Sequence, residues 1–159
     1  MKRRTFFLAA PLLVLAGCGF RLRGVNAMPF TSAWVEAGEG SLLGQQLREQ
    51  LHDQRKLHAG SKGAPLVIRL SQEKLEKQIL SLSGAGRVRE YRLIYEVRMD
   101  VRDAYGKALF EAIPLFAQRD FTYDDSQALA KETEEASLRR DMAIELARQA
   151  LTRIAYGRL

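Results

Sequence analysis

The stretch "YRLIYEVRMDV", Tyr91 to Val101, limits this chain's fold more than any other feature. Tyr91, Leu93, Tyr95, Val97, Met99 and Val101 occupy one parity, and Arg92, Ile94, Glu96, Arg98 and Asp100 the other. A period of two over eleven residues places one set of side chains on each face of an extended chain, so it predicts a strand with one buried and one wet face. "DAYG", Asp103 to Gly106, is a turn signal, and "KALFEAIPLFAQRDF", Lys107 to Phe121, returns as the hairpin partner. Pro114 suggests an edge or a bulge there, because proline has no N–H to give to a ladder.

The remaining elements follow from their own periods. "AWVEAG", Ala33 to Gly38, is strand-like. Ser41 is a candidate N-cap for a helix from Ser41 to about Lys56, with Leu43, Leu47 and Leu51 four apart on one face. "PLVIRL" alternates from Leu66 to Leu70 and predicts a strand that runs into polar residues near Glu73. The last segment is a helix capped by Asp124, Asp125 or Ser126, with acids in its first turns and basic residues at its end. Its apolar stripe is Leu138, Met142, Leu146 or Ala147, Ala150, Leu151 and Ile154. The order strand, helix, three strands, helix predicts an α+β two-layer sandwich: a roughly four-stranded sheet with two helices on one face.

The start of the chain follows a different logic. Basic "MKRR" precedes an uncharged run from Phe6 to Ala16, whose eleven residues would rise about 16 Å as a helix, roughly half a hydrocarbon core. Too short to span a membrane and without a polar face to lie on a core, residues 1–17 read as a secretory signal peptide. The chain has 159 residues, which is room for one domain, expected over residues 33–159. The net charge of +6 invites a nucleic-acid reading, but Lys2, Arg3 and Arg4 belong to the leader, and without them 22 basic groups face 19 acidic ones. With no aromatic stacking set among the charges, nucleic acid is a poor candidate.

"LAGC", Leu15 to Cys18, resembles the lipobox of bacterial lipoproteins. The resemblance implies a diacylglycerol on the sulfur of Cys18, cleavage before it and acylation of the freed amine. The attached acyl chains form a stable membrane anchor, and a covalent lipid is then the only non-protein group expected. Gly19 follows where an aspartate would signal inner-membrane retention, so the implied address is the periplasmic side of the outer membrane. Residues 18–32 form a short tether; about a dozen residues reach roughly 40 Å at most, which keeps the domain close to the bilayer.

A search for catalytic chemistry returns little. Cys18, the only cysteine, is taken up by lipid, leaving no thiol nucleophile or thiolate ligand. His52 and His58 are six apart, off the three- or four-residue spacing of a metal pair on a helix, so no metal site is expected. "SGAGR" lacks the third glycine of a dinucleotide loop. The acids Glu132, Glu134 and Glu135 are accounted for by their place near a helix start. The chain therefore reads as a non-enzyme. Its basic residues offer more, since Arg87 and Arg89 precede the apolar part of the strand, beside the glycine-bearing "SLSGAG", Ser81 to Gly86. Guanidinium groups at such a mouth suit phosphates, which they bind through paired hydrogen bonds; a solvated loop end is the plainer alternative.

"LAGCGFRLRG", "SLSGAGRVREYRLIYEVRMDV", "RDFTYDDSQALAKETEEASLRRDM" and "ALTRI", in this order and spacing, resemble the LPS-assembly lipoprotein family, LptE or RlpB. The resemblance is strongest at C-G-F-x-L-R-G, R-E-Y and A-L-A-K-x-x-E. It implies a two-layer α+β domain that plugs the outer-membrane β-barrel LptD and binds lipopolysaccharide for insertion into the outer leaflet. It carries a basic lipopolysaccharide contact onto Lys131 of A-L-A-K. The family's loop arginine falls near Gly84, where Arg87 is the nearest basic substitute, with Arg89 beside it. The alternative is an outer-membrane lipoprotein that binds or scaffolds periplasmic components without a transport role.

Overall fold

In the computed structural model of the chain, residues 28–157 are described. The leader, Cys18 and most of the tether lie outside them. Strand β1 (Ala33–Glu36) leads into helix α1 (Leu42–Asp53), then β2 (Leu66–Leu82), β3 (Val88–Asp103) and β4 (Ala108–Thr122). A short 3-10 turn, Asp125–Gln127, opens onto helix α2 (Ala128–Tyr156). The sheet order is β1-β2-β3-β4. β1 lies parallel to β2, which requires a crossover, and α1 provides it. β2, β3 and β4 form an antiparallel meander in which Pro114 falls on the edge strand.

The expected period is present in β3. Leu93, Tyr95, Val97, Met99 and Val101 are buried beneath the helices, while Arg92, Glu96 and Arg98 belong to the open face. Register extends this layer sideways: Ile68 pairs with Val101, Leu70 with Met99, and across the other ladder Leu115 with Val97 and Ala117 with Tyr95. α1 closes the layer with Leu43, Leu47 and Leu51, and α2 with Met142, Leu146, Ala150, Leu151 and Ile154. Leu138, the first residue of the expected stripe, is only half-buried at the edge of this core.

Two elements depart from expectation. β2 does not fade at Glu73; it runs on to Leu82. A bulge between Ser71 and Lys74 sets Gln72 and Glu73 against Val97 alone, with Gln72 at φ 51, and re-registers Leu75 opposite Tyr95. The polar composition near Glu73 reflects position, because this half of β2 has no β1 beside it and meets α2 through a polar contact, Lys77 with Glu135. Ser81 and Leu82, expected in a loop, close the hairpin through a compact turn in which Gly86 N–H donates to the Ser83 carbonyl at 2.9 Å. Gly86 has φ 75, a region glycine enters without steric cost.

Tyr95 ties the first helix to the sheet. Its phenol accepts the Leu43 N–H at 3.0 Å and donates to the Glu73 carboxylate, which the bulge aims at it. Ser41 caps the same turn by accepting Gly44 N–H at 2.8 Å. Gly44 is there for space: a Cβ on it would sit 2.6 Å from the Ala37 Cβ and 2.9 Å from the Ser41 Oγ.

Tyr95→Phe leaves the buried Leu43 N–H without its acceptor and should cost about 1–3 kcal/mol in chemical denaturation. Burial, with the Glu73 hydrogen bond second, pushes the Tyr95 phenol above the ordinary value of 10.0. The unfolded chain therefore releases this proton first. The associated stability is complete below about pH 10 and declines as pH rises from there toward the folded-state value, a loss that Tyr95→Phe should lack in alkaline unfolding curves. Gly44→Ala should destabilise by about 1–3 kcal/mol, read as a lowered denaturation midpoint, because its methyl would force Ala37 or the capping Ser41 to shift.

Candidate functional site

An open cleft of about 890 Å³ lies at the end of the molecule where the β2–β3 hairpin, the end of β4 and the start of α2 meet. Leu82, Arg87, Arg89, Tyr123, Asp124 and Lys131 are among the residues lining it. The fold thus brings Arg87, Arg89 and Lys131 into one concavity, although Lys131 is separated from the arginines by the whole of β3 and β4. Two offset irregularities shape the wall. Register shifts at Ile79/Ser81 and Ser81/Leu82 leave Leu80 extra on one strand and Arg89 on the other, before pairing resumes at Leu82 and Val88 beside the turn. Gly84 sits in that turn with open space where a side chain would go. The basic groups of this hairpin therefore enter from Arg87 and Arg89.

The three cations are held differently. Arg87 and Arg89 are exposed, and among the described residues neither guanidinium has a hydrogen bond or ion pair. Their main chains are fixed instead: Arg87 N–H donates to Ser83 Oγ at 3.1 Å, and the Arg89 carbonyl accepts Tyr123 N–H at 2.8 Å. The side chain of Lys131 is only 15% exposed, not the freely solvated lysine its place near a helix start suggests. Its Nζ donates to Thr122 Oγ1 at 3.2 Å and to Glu134 at 2.8 Å.

Three carboxylates, Glu90, Asp124 and Asp125, line the same cleft. Glu90 accepts the Ser81 hydroxyl at 2.6 Å. Asp124 caps the 3-10 turn by accepting Ser126 N–H at 2.9 Å and its hydroxyl at 2.8 Å. Those hydrogen bonds hold the Asp124 carboxyl below its ordinary range, with Lys131 and Arg87 adding to the effect. Two acids are thus occupied by neutral donors while both guanidiniums keep their donor edges open. The cleft therefore gathers three cations and three carboxylates, and its open donor edges belong to the two guanidiniums.

The other sequence candidates lie elsewhere. His52 is exposed on α1, 3.8 Å from Asp53, and His58 turns its Nδ1 to the Gly60 carbonyl at 2.7 Å. Among the described residues no group of three or more His, Cys, Asp or Glu side chains is placed to hold a metal. Glu134 pairs with Lys131, and Glu135 with Lys77 and Arg139. Lys77 escaped the sequence reading. Its Nζ lies 4.1 Å from the Tyr91 ring centroid and 5.7 Å from those of Phe121 and Tyr123, next to the cleft. The available signal was a lysine on the parity of Leu75 within a strand, a sign of a buried partner.

A family model described as LptE, lipopolysaccharide-assembly, matches residues 23–154. The LPS-assembly lipoprotein LptE of Photorhabdus laumondii is 28% identical over 159 aligned residues, 94% of this chain and 84% of that protein. A solution structure of an uncharacterised lipoprotein B from Nitrosomonas europaea superposes with a TM-score of 0.71 at 32% identity, covering 86% of this chain and 90% of that one. The crystal structure of rare lipoprotein B from Shewanella oneidensis does so with a TM-score of 0.60 at 30% identity, over 77% and 89%. With the family model matching residues 23–154 and a relative of 32% identity sharing its fold over 86% of its length, this chain belongs to the LptE lipopolysaccharide-assembly family.

Proposed function

We propose that this protein is a lipid-anchored, non-enzymatic component of the outer membrane that plugs the barrel LptD and binds lipopolysaccharide on its way to the outer leaflet. The observation that carries the binding half is the convergence of Arg87, Arg89 and Lys131 in one cleft, with neither guanidinium hydrogen-bonded among the described residues. Planar guanidinium forks match the paired oxygens of a phosphate monoester, and lipid A bears such groups. Lys131 is less free, but Glu134 and Thr122 are exposed or half-exposed partners that a phosphate can displace. Cationic side chains there compete with the divalent ions that bridge neighbouring lipopolysaccharides and so loosen one molecule from its aggregate.

Anchoring rests on Cys18 and the lipobox-like "LAGC" before it. The relatives described as lipoproteins support this reading. No helix among the described residues is long and apolar enough to cross a membrane, which leaves the lipid as the means of attachment in this account. From Cys18 to Met28 the chain reaches roughly 36 Å at most, so the domain stays near the bilayer and within reach of a barrel embedded in it.

The combined substitution Arg87→Ala, Arg89→Ala and Lys131→Ala should weaken binding of purified lipopolysaccharide roughly tenfold or more, since each hydrogen bond to a charged group contributes about 1.5–3 kcal/mol. Wild-type binding should also fall between 0.05 and roughly 0.3 M salt, as the screening length drops below about 10 Å. Unchanged binding in the triple variant removes these residues from the site. In a pull-down of the tagged chain from detergent-solubilised outer membranes a large β-barrel should co-purify; its absence would leave the scaffolding role and overturn the plug.

A further inference from the structure

The half of α2 nearest the cleft is held differently from the rest of the helix. Buried side chains begin at Met142 and continue to Ile154; from Ala128 to Asp141 there are none. Apolar burial therefore pins the C-terminal half, and the fourteen residues before it depend on half-buried Leu138 and on polar contacts. The innermost of these contacts is made by Glu135, whose side chain is 14% exposed and accepts from Lys77 Nζ at 2.6 Å.

Lys77 arrives from β2, the Tyr91 ring from β3 and the Phe121 ring from the end of β4, while Tyr123 follows that strand directly. Tyr91 packs edge-on against Tyr123 at 5.1 Å and tilted against Phe121 at 5.8 Å, so the three rings form one cluster around the ammonium. Lys77 is itself exposed, its side chain 31% accessible, so the ring attraction is the modest one of a surface cation and acts together with the Glu135 ion pair. A single charge thus touches all three strands of this end of the sheet and the helix above them. The cleft is one step away on both sides. Tyr123 lines it and donates its N–H to the Arg89 carbonyl, and Lys131 precedes Glu135 by four residues, on the same helix face.

We propose that Lys77 is a positioning residue: through Glu135 and the Tyr91, Phe121 and Tyr123 rings it holds the first half of α2 on the hairpin and so sets the span between Lys131 and the two arginines. Its functional consequence rests on the cleft reading above; the tether itself does not. Lys77→Met removes the charge and keeps the apolar stem. Glu135 then retains Arg139 at 2.5 Å, so no buried acid is stranded. Lys77→Arg keeps a cation able to lie on the rings and reach the carboxylate.

The test is hydrogen exchange by mass spectrometry on the full chain in detergent, run beside lipopolysaccharide binding for wild type and both variants. In Lys77→Met, amides of residues 130–138 should exchange roughly tenfold faster with those of 142–154 unchanged, as local opening of one half of a helix requires. Binding should weaken several-fold, and Lys77→Arg should restore both. Wild-type protection at 130–138 in Lys77→Met overturns the proposal. So does faster exchange that leaves binding intact, and so does loss spread equally over 142–154, which would make Lys77 a general stabiliser. If Lys77→Met does not fold, Glu135→Gln, which weakens the same contact, should reproduce the pattern. Wild type that fails to bind lipopolysaccharide counts against the cleft reading, and the exchange pattern still decides on Lys77.

Discussion

Leu93, Tyr95, Val97, Met99 and Val101 project from one face of β3 into contact with both helices, and their removal from water is what the rest of the domain is built around. A central strand with one wet face cannot be stable alone, so β2 and β4 widen the apolar layer and α1 and α2 cover it. Tyr95 carries a hydroxyl into this layer, and that atom is answered on both sides, by the Leu43 N–H and the Glu73 carboxylate. The bulge at Gln72 and Glu73 makes the second contact possible. One irregularity in β2 therefore fixes both the register of the strand beyond it and the attachment of α1.

Past the bulge the character of the packing changes. The sheet continues as a three-stranded ribbon and α2 continues above it, but hydrocarbon gives way to ion pairs and ring contacts: Lys77 with Glu135, Glu135 with Arg139, Lys131 with Glu134 and Thr122. Such contacts, part-exposed, contribute modest stability but strong directionality. The domain thus combines a firm apolar core with a polar, less tightly sealed end.

Much of this organisation was readable in the residues. The two-residue period of Tyr91 to Val101, the leucines four apart in α1, Ser41 as a cap and Pro114 on an edge all reappear where expected, because each expresses a local rule that tertiary packing had no reason to override. β2 was cut short for the opposite reason. Beyond Glu73 its residues follow the demands of an end of the sheet with few neighbours, and polar strands of that kind resemble loops in sequence. Arg87 and Arg89 could be placed at a strand mouth by proximity to Tyr91, and Lys131 was attached to them only by resemblance to a family.

Local pattern is enough to fix the class of fold and the faces of β3 and of both helices, since periodicity acts through neighbours along the backbone. Only the packing of distant segments brings Arg87, Arg89 and Lys131 into one cleft, leaves the two guanidiniums there without hydrogen bonds while Lys131 is engaged, and sets Lys77 among three rings and a carboxylate. Those facts depend on strand register, on bulges that shift it and on where a 29-residue helix returns across the sheet. They are set by the packing of residues far apart in the chain, and no local pattern encodes them.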